Sequence, residues 1–460
     1  MMGKTDPRPV LVAAAVLGFL LFANHAVAAG TQQLPTPKPL PTAGADGQSS
    51  IAPEEPTGEI TLDRAQALAL AHNPELMAFA RGFGASEAAI VQAGVLPNPV
   101  LGAAGENLGN NRLKEGGDRE TVLQLEQLIE LGGKRAARLK LAETGRDLAA
   151  WDYQTKRADL ILRVSVSFID VLIGQQQQSL AEESLVLARL FADSVSKRVA
   201  AGKASPVEET KARLTLFSVE VELEQAKREL AVARQRLSSL WNNPAPRFET
   251  AVGDLERMVT LPSREQLFGR ARANPDLARW GAEIAQRDAA VDVAKAKGVP
   301  DLTLTGGVAR FSQFNDTAYT VGVSIPIPLF DRNRGGILEA TRLLDKTVDQ
   351  KRAAENRVHT ELTNAEQRLA AIRVQIETLR TSILPGARSA FDATRKGYEL
   401  GKFGFIDVID AQRTLSLVRS QYLGALANYY RGVREIERLI GNELDTETSA
   451  ITEKQAGDEK

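Results

Sequence analysis

The chain has 460 residues, no cysteine, and 25% charged residues whose signs nearly cancel to a net charge of -1. Disulfides, thiol catalysis, Cys-based zinc sites and lipid attached to a cysteine are therefore excluded, and there is no basic surplus to hold nucleic acid. Its length allows two or three domains of ordinary size, with 43% apolar but only 5% aromatic residues.

In chain order, Lys4 and Arg8 precede an apolar run from Val10 to Ala23, and Ala26-Val27-Ala28 follows with small residues. Residues 1–28 are expected to be a cleaved secretory signal. The run of about 14 residues is shorter than the roughly 20 that span a bilayer. No later stretch is more apolar, so an exported protein without transmembrane helices is expected. Residues 29–58 are rich in proline and polar side chains and are expected to form a flexible or extended leader.

From Thr61 onward the chain repeats itself. "HNPELMAFA" (His72 to Ala80) recurs as "ANPDLARWG" (Ala273 to Gly281), and "AGVLPNPVLGAAG" from Ala93 as "AKGVPDLTLTGG" from Ala296. "IELGGKRAARLKLAE" from Ile129 is echoed by "IPLFDRNRGGILEA" from Ile327, and "RLSSLWNN" from Arg236 by "EIERLIGN" from Glu435. The offsets run from 198 to 203. This predicts two repeats, 59–243 and 263–443, joined by a connector 244–262 and followed by a disordered tail 444–460.

Each repeat opens with an Ala-rich helical stretch, 61–93 and 263–296, with Thr61 and Ser263 as candidate N-caps. Two alternating strands follow, expected over 98–108 and 119–129 in the first repeat and over 300–312 and 317–327 in the second. Leu123, Leu125 and Ile129 fall on one face, with Gln124, Glu126 and Leu128 on the other; Tyr319, Val321, Val323 and Ile325 oppose Thr320, Gly322 and Ser324. The turns "GNNRLKEGGD" and "QFND" would close them as hairpins. About ten alternating residues suit a strand crossing an outer membrane; they also suit a half-buried soluble sheet, and alternation alone does not choose.

The rest of each repeat reads as a helical hairpin, over 133–241 and 335–440. Lys134 to Ala200 contains no proline. After "AGKASP", with Ser205 as cap and Pro206 as first helical residue, comes a heptad series: Leu216, Leu223, Leu230, Leu237 beside Val219, Ala226, Ala233, Leu240. Its counterpart is Leu415, Tyr422, Tyr429, Ile436 beside Val418, Ala425, Gly432, Leu439. The matched breaks "AGKASPVEETKARLTL" and "LGKFGFIDVIDAQRTL" become the two hairpin tips. Four strands per chain are too few for a barrel, which needs about eight, and open edges are not tolerated in lipid. If the strands enter a membrane, the chain must oligomerise.

This order of signal, helix, strand hairpin, long helix, glycine tip and returning helix, written twice, resembles the TolC-like outer membrane factor family. The tip "GKFGFIDVIDAQRTL" and the "LPNPVL" before the first strand carry the resemblance, and "IELGGKRAARL" is most similar to its CzcC/CusC heavy-metal branch. The resemblance implies a mainly α fold with a membrane β-barrel part. A homotrimer would build a 12-stranded barrel in the outer membrane lipid and an α-helical coiled-coil tunnel across the periplasm. A periplasmic adaptor (membrane fusion protein) and an inner-membrane RND pump would dock at the tips. The absence of cysteine points to the unlipidated, CzcC-like form. The implied function is passive export of heavy-metal cations, with no enzyme activity and no cofactor. Drug efflux or type I protein secretion shares the architecture, and a secreted structural coiled-coil protein is the reading from another class.

Gln124, Glu126, Thr303, Thr305 and Ser324 would then line the barrel lumen. Asp407 and Asp410, three apart on one helical face, match the family's paired acids at the periplasmic gate. Six carboxylates around a trimer axis would attract cations and repel one another. Tyr398 matches a residue that helps hold the closed tip, and Glu208 is the nearer of Glu208 and Glu209 to the equivalent place. Phe403 stands where the family carries a basic residue. Gly202, Lys203, Gly401 and Lys402 are the candidate adaptor contacts, although the same residues would terminate any helix. For the two aspartates, ordinary solvated coiled-coil charge is the plain alternative. "LGGKR" lacks the spacing of a phosphate-binding loop. His72, His359, Met77 and Met258 are too few and too scattered for a metal site.

Overall fold

The computed structural model describes residues 54–106, 120–311 and 316–444, all within one compact unit. The expected signal 1–28, nearly all of the expected leader, the expected turn "GNNRLKEGGD", all but Asp316 of "QFND" and the expected tail beyond Leu444 lie outside the described residues, whereas Asp316 begins a strand and Leu444 is buried. In the first repeat the elements are β1 (Glu59–Ile60), α1 (Leu62–His72), α2 (Pro74–Ala93), β2 (Val100–Glu106), β3 (Glu120–Ile129), α3 (Lys134–Ala200) and α4 (Pro206–Ser239). They continue with β4 (Thr250–Ala251), α5 (Arg264–Ala271), α6 (Pro275–Lys297), β5 (Leu302–Phe311), β6 (Asp316–Ser324), α7 (Arg334–Thr378), α8 (Leu384–Glu399) and α9 (Phe405–Ile440).

The opening helix of each repeat is two helices, where one was expected. Thr61 caps α1 by accepting from the Arg64 N–H at 3.4 Å, and Ser263 with Gln266 forms a full capping box on α5. Pro74 and Pro275 then end the ladders, because proline has no N–H to donate and fits only in a first turn. Asn73 and Asn274 restart them: Asn73 Oδ1 accepts from Leu76 N–H at 2.9 Å and Asn274 Oδ1 from Asp276 N–H at 2.8 Å. Each asparagine also donates to the end of its own repeat's returning helix, Asn73 to the Leu240 carbonyl and Asn274 to the Leu439 carbonyl, both at 2.8 Å. His72 is the last residue of α1.

The four long strands form one antiparallel sheet in the order β2-β3-β5-β6. The middle pairing, Glu120↔Phe311 through Ile129↔Leu302, joins the repeats. β6 stops at Ser324 and does not reach 327, since Pro326 and Pro328 cannot donate to a ladder. β2 and β5 start two residues later than expected, beyond Pro99 and Pro300. A two-residue parallel pairing of β1 with β4, Glu59↔Thr250 and Ile60↔Ala251, was not anticipated. The end of the leader is anchored, not free: Glu55 Oε1 accepts from Arg247 N–H at 2.7 Å and Glu55 Oε2 from Trp241 Nε1 at 3.0 Å.

α3 has 67 residues, about 100 Å at 1.5 Å per residue. Its counterpart is broken by a π-helical turn, Leu379–Ile383, just before Pro385; the Leu384 N–H reaches back to the Leu379 carbonyl, as a helix does when a proline removes the next donor. The heptad rows face inward: Leu223, Leu230, Leu237, Tyr429 and Ile436 are buried, each side chain contributing about 2 kcal/mol. Arginines of α9 bind acids of α3 along the length between the repeats: Arg419–Glu183 at 2.8 Å, Arg431–Asp170 at 2.5 Å and Arg438–Asp159 at 2.6 Å. Burial pulls the Arg438 guanidinium down, but its bonds to Asp276 and Asp159 outweigh this and leave it raised.

Candidate functional site: two helical tips and a one-sided sheet

Both tips close with the same backbone device. After α3, the Lys203 N–H donates to the Arg198 carbonyl at 2.8 Å and the Gly202 N–H to the Val199 carbonyl at 2.9 Å. After α8, the Lys402 N–H donates to the Gly397 carbonyl at 2.8 Å and the Gly401 N–H to the Tyr398 carbonyl at 3.0 Å. Gly202 and Gly401 sit at φ 70° and 75°, a left-handed conformation that side chains resist. Lys203 and Lys402 stand exposed beside them.

The next helices start differently. Ser205 Oγ accepts from the Val207 N–H at 3.2 Å with Pro206 at the first position of α4. Gly404 has no side chain to cap with, and Asp407 reaches back, its Oδ2 accepting from the Gly404 N–H at 2.8 Å. Glu208 and Asp407 are both the third residue of their helices. Asp407 and Asp410 share an exposed face of α9, and the Asp410 carboxylate has no partner among the described residues. In the first tip it is Glu209, not Glu208, that is engaged: Ser196 Oγ donates to it at 3.1 Å and Arg213 pairs with it at 2.8 Å.

Tyr398 is 5% exposed. Its ring lies 6.2 Å from the Phe405 ring and 4.6 Å below the Arg198 guanidinium, which also donates to the Tyr398 carbonyl at 3.4 Å. The second tip is thus clasped by an arginine of the first, within a cluster of Phe191, Val195, Ala212, Phe391, Phe405, Val408 and Leu415. The Tyr398 hydroxyl is buried without a partner. Sequence reasoning missed Arg198. The available signal is a size exchange at offset 199: Arg198 and Ala204 in one tip answer Gly397 and Phe403 in the other. Any Cβ at Gly397 would strike the Phe403 ring, so the aromatic at this position is seated on a glycine.

At the other end, the register puts all five lumen candidates on one face of the sheet. Glu126 pairs with Thr305, Thr303 with both Leu128 and Ser324, and Gln124 with Gly307; directly paired residues share a face. Gln124 Nε2 donates to Glu126 Oε1 along that face. The opposite face carries Leu101, Leu123, Leu125, Leu304, Val308, Tyr319, Val321 and Val323, all exposed, with Val321 at 78%. An apolar face bare on a sheet with two unpaired edges is the reverse of a soluble core. That bare apolar face suits lipid, and no helix among the described residues is long and apolar enough to cross a membrane.

Among the described residues no three His, Asp or Glu side chains gather as a metal site. His359 stacks on Phe268 at 4.3 Å, Met77 is exposed, and Met258 packs on the core of the second repeat.

The outer membrane efflux protein family model matches residues 66–243 and 270–442, the two repeats in turn. The chain is 39% identical over 391 residues to the cobalt-zinc-cadmium resistance protein CzcC of Cupriavidus metallidurans, covering 85% of this chain and 92% of that protein. It is 27% identical to the nickel-cobalt-cadmium resistance protein NccC of Alcaligenes xylosoxydans xylosoxydans, over 74% of this chain and 77% of that one. A crystal structure of CusC superposes with a TM-score of 0.71 at 18% identity, covering 90% of this chain and 99% of that chain. The duplicated fold, the one-sided sheet and both matched segments agree: the chain belongs to the outer membrane efflux protein family.

Proposed function

We propose that this outer membrane protein is the exit duct of a tripartite efflux system and that its cargo is heavy-metal cations of the cobalt, zinc and cadmium class. The observation that carries the reading is the sheet: an exposed apolar face, an opposite polar face and two open edges. Four strands cannot enclose a pore, whereas three copies give twelve, enough for a closed barrel. Gln124, Glu126, Thr303, Thr305 and Ser324 then line a water-filled conduit that continues between the helical hairpins. The 39% identity to a cobalt-zinc-cadmium resistance protein supports the cargo.

The mechanism is passage without chemistry. At the tips, Asp407 and Asp410 from three protomers form a ring that concentrates cations and, by self-repulsion, favours dilation. Asp407 also caps α9, so its charge is held in a fixed place and Asp410 is the freer member. Tyr398, clasped by Arg198, holds the resting tip, with Glu208 at the matching point of the first hairpin. A periplasmic adaptor would dock on Gly202, Lys203, Gly401 and Lys402, and an inner-membrane RND pump would supply the driving force.

The test is a deletion strain challenged with cobalt, zinc, cadmium, copper and silver salts and with a panel of dyes and detergents. Lost tolerance to cobalt, zinc or cadmium, restored by the gene, is the expected result. Unchanged metal tolerance with new dye sensitivity would overturn the cargo.

A further inference from the structure

The seam between the two repeats of one chain is fully described and provides a template for a seam between chains. Beneath the β3–β5 pairing, the segment leaving β3 closes on the segment leading into β5. Leu131 N–H donates to Asp301 Oδ1 at 3.1 Å, and Lys134 Nζ stands 2.7 Å from the same oxygen. Gly132 lies so close to Val299 that any Cβ on it would collide with that side chain.

The repeat supplies the image of each part. Gly133 and Asn333 are both left-handed residues, φ 73° and 55°, directly before a long helix. Arg334 therefore stands where Lys134 stands, at the end of the segment leaving β6. Pro97-Asn98 stands where Pro300-Asp301 stands, which places Leu96 in the position of Val299. Within one chain these halves lie at opposite edges of the sheet, three strand spacings or about 14 Å apart, and both are bare. Leu96 is 61% exposed, Ile327 77%, Leu329 67% and Phe330 100%. The segment is held out by structure: Pro326 and Pro328 stiffen it, Arg332 Nε donates to the Pro328 carbonyl at 3.0 Å, and Asn333 Nδ2 donates to the Ala294 carbonyl at 2.7 Å.

We propose that the segment carrying Ile327, Leu329 and Phe330 of one protomer covers Val95 and Leu96 of a second copy, with Arg332 in the place of Gly132 and Arg334 facing Asn98, as the inter-chain image of the seam around Val299 and Asp301. This rests on the oligomeric reading above. A second copy fits better than lipid for two reasons. The segment has left the sheet, and irregular backbone is not tolerated against hydrocarbon; it also runs directly into Asp331, Arg332 and Arg334. The two seams differ in chemistry. The inner one is closed by a glycine and an ion pair, whereas the outer one carries bulky apolar side chains, Arg332 in the glycine's place and a neutral asparagine in place of Asp301.

The full chain has no cysteine, so an introduced pair reports without background. Leu96→Cys is combined in turn with Ile327→Cys, Leu329→Cys and Phe330→Cys, and the native assembly in detergent is treated with a mild oxidant and a short bis-maleimide. Within one chain, residues about 14 Å apart lie beyond the roughly 7 Å limit for a disulfide. The expected result is covalent dimers and trimers on a denaturing gel for at least one pair, with single variants remaining monomeric. If every pair stays monomeric while the untreated protein still runs as a trimer, this seam is refuted and the duct reading survives. If the untreated protein is itself monomeric, the oligomeric reading fails first and takes the seam with it. Phe330→Trp, reconstituted with brominated phospholipid, separates lipid from protein: strong quenching would overturn the proposal, and fluorescence equal to that in unbrominated lipid supports it.

Discussion

The two hairpin tips have one backbone and two chemistries. Each ends its outgoing helix with a left-handed glycine and the same pair of back-donated hydrogen bonds. Beyond the glycine they part. The first tip restarts with Ser205-Pro206 and ties its acid, Glu209, to Ser196 and Arg213. The second restarts on Gly404, caps itself with Asp407, and leaves the Asp410 carboxylate exposed, where the first tip carries Lys211. Duplication preserved what terminates a helix and released what the terminus displays. The first tip is the fixed member, and its Arg198 clasps Tyr398 of the second.

Four sets of substitutions test the two repeats against each other, the largest effect first. Leu237→Ala and Ile436→Ala remove fully buried side chains at matching heptad positions, and each is expected to cost about 2–5 kcal/mol. Matching losses in thermal unfolding would support equivalent stems, whereas a large disparity would break the equivalence. Gly202→Ala and Gly401→Ala force alanine into a left-handed backbone, each costing roughly 1–2 kcal/mol. Lowered protection of the adjacent amides in hydrogen exchange, at both tips alike, is the expected reading.

Arg198→Ala removes the stack on Tyr398, worth about 1 kcal/mol. It should raise leak through the tip and leave the melting of the stems unchanged; Arg198→Lys should restore little, since an ammonium lacks the planar face. The smallest effect is expected at Glu75. Hydrogen bonds from Lys156 and then Arg163 hold its pKa below the ordinary glutamate value, against the partial burial that pushes it up. A carboxylate with a depressed folded pKa stabilises above its unfolded pKa and loses that contribution as pH falls through the folded value. Glu75 is largely exposed, so Glu75→Gln should cost only about 0.5 kcal/mol near neutrality. The difference should vanish below the ordinary glutamate range; a gap that persisted there would mean packing, not charge, holds α2 to α3.

Much of this was legible in the chain because its signals are local or periodic. The glycine tips, the Thr61 and Ser263 caps and both heptad rows follow from backbone rules that neighbouring residues decide. Strand faces were legible too, since alternation fixes which of Gln124 and Leu125 points which way. What escaped depends on residues far apart in sequence. Arg198 reaches Tyr398 only because α3 and α9 are zipped together by Arg419, Arg431 and Arg438. Glu55 is anchored by Trp241 and Arg247, almost two hundred positions away, and composition alone made its segment read as free. The prolines were under-read. Pro74, Pro275, Pro326 and Pro385 each end or bend an element that periodicity had carried straight through, because a missing N–H outweighs an apolar pattern.

The most direct measurement is single-channel recording of the purified assembly in planar bilayers, comparing wild type with Asp407→Asn/Asp410→Asn and with Glu208→Gln/Glu209→Gln. If the second tip is the gate, the aspartate variant shows higher open probability and weaker cation preference, while the glutamate variant follows wild type. Identical behaviour of all three, or a stronger effect from the glutamates, would contradict the unequal division of the tips.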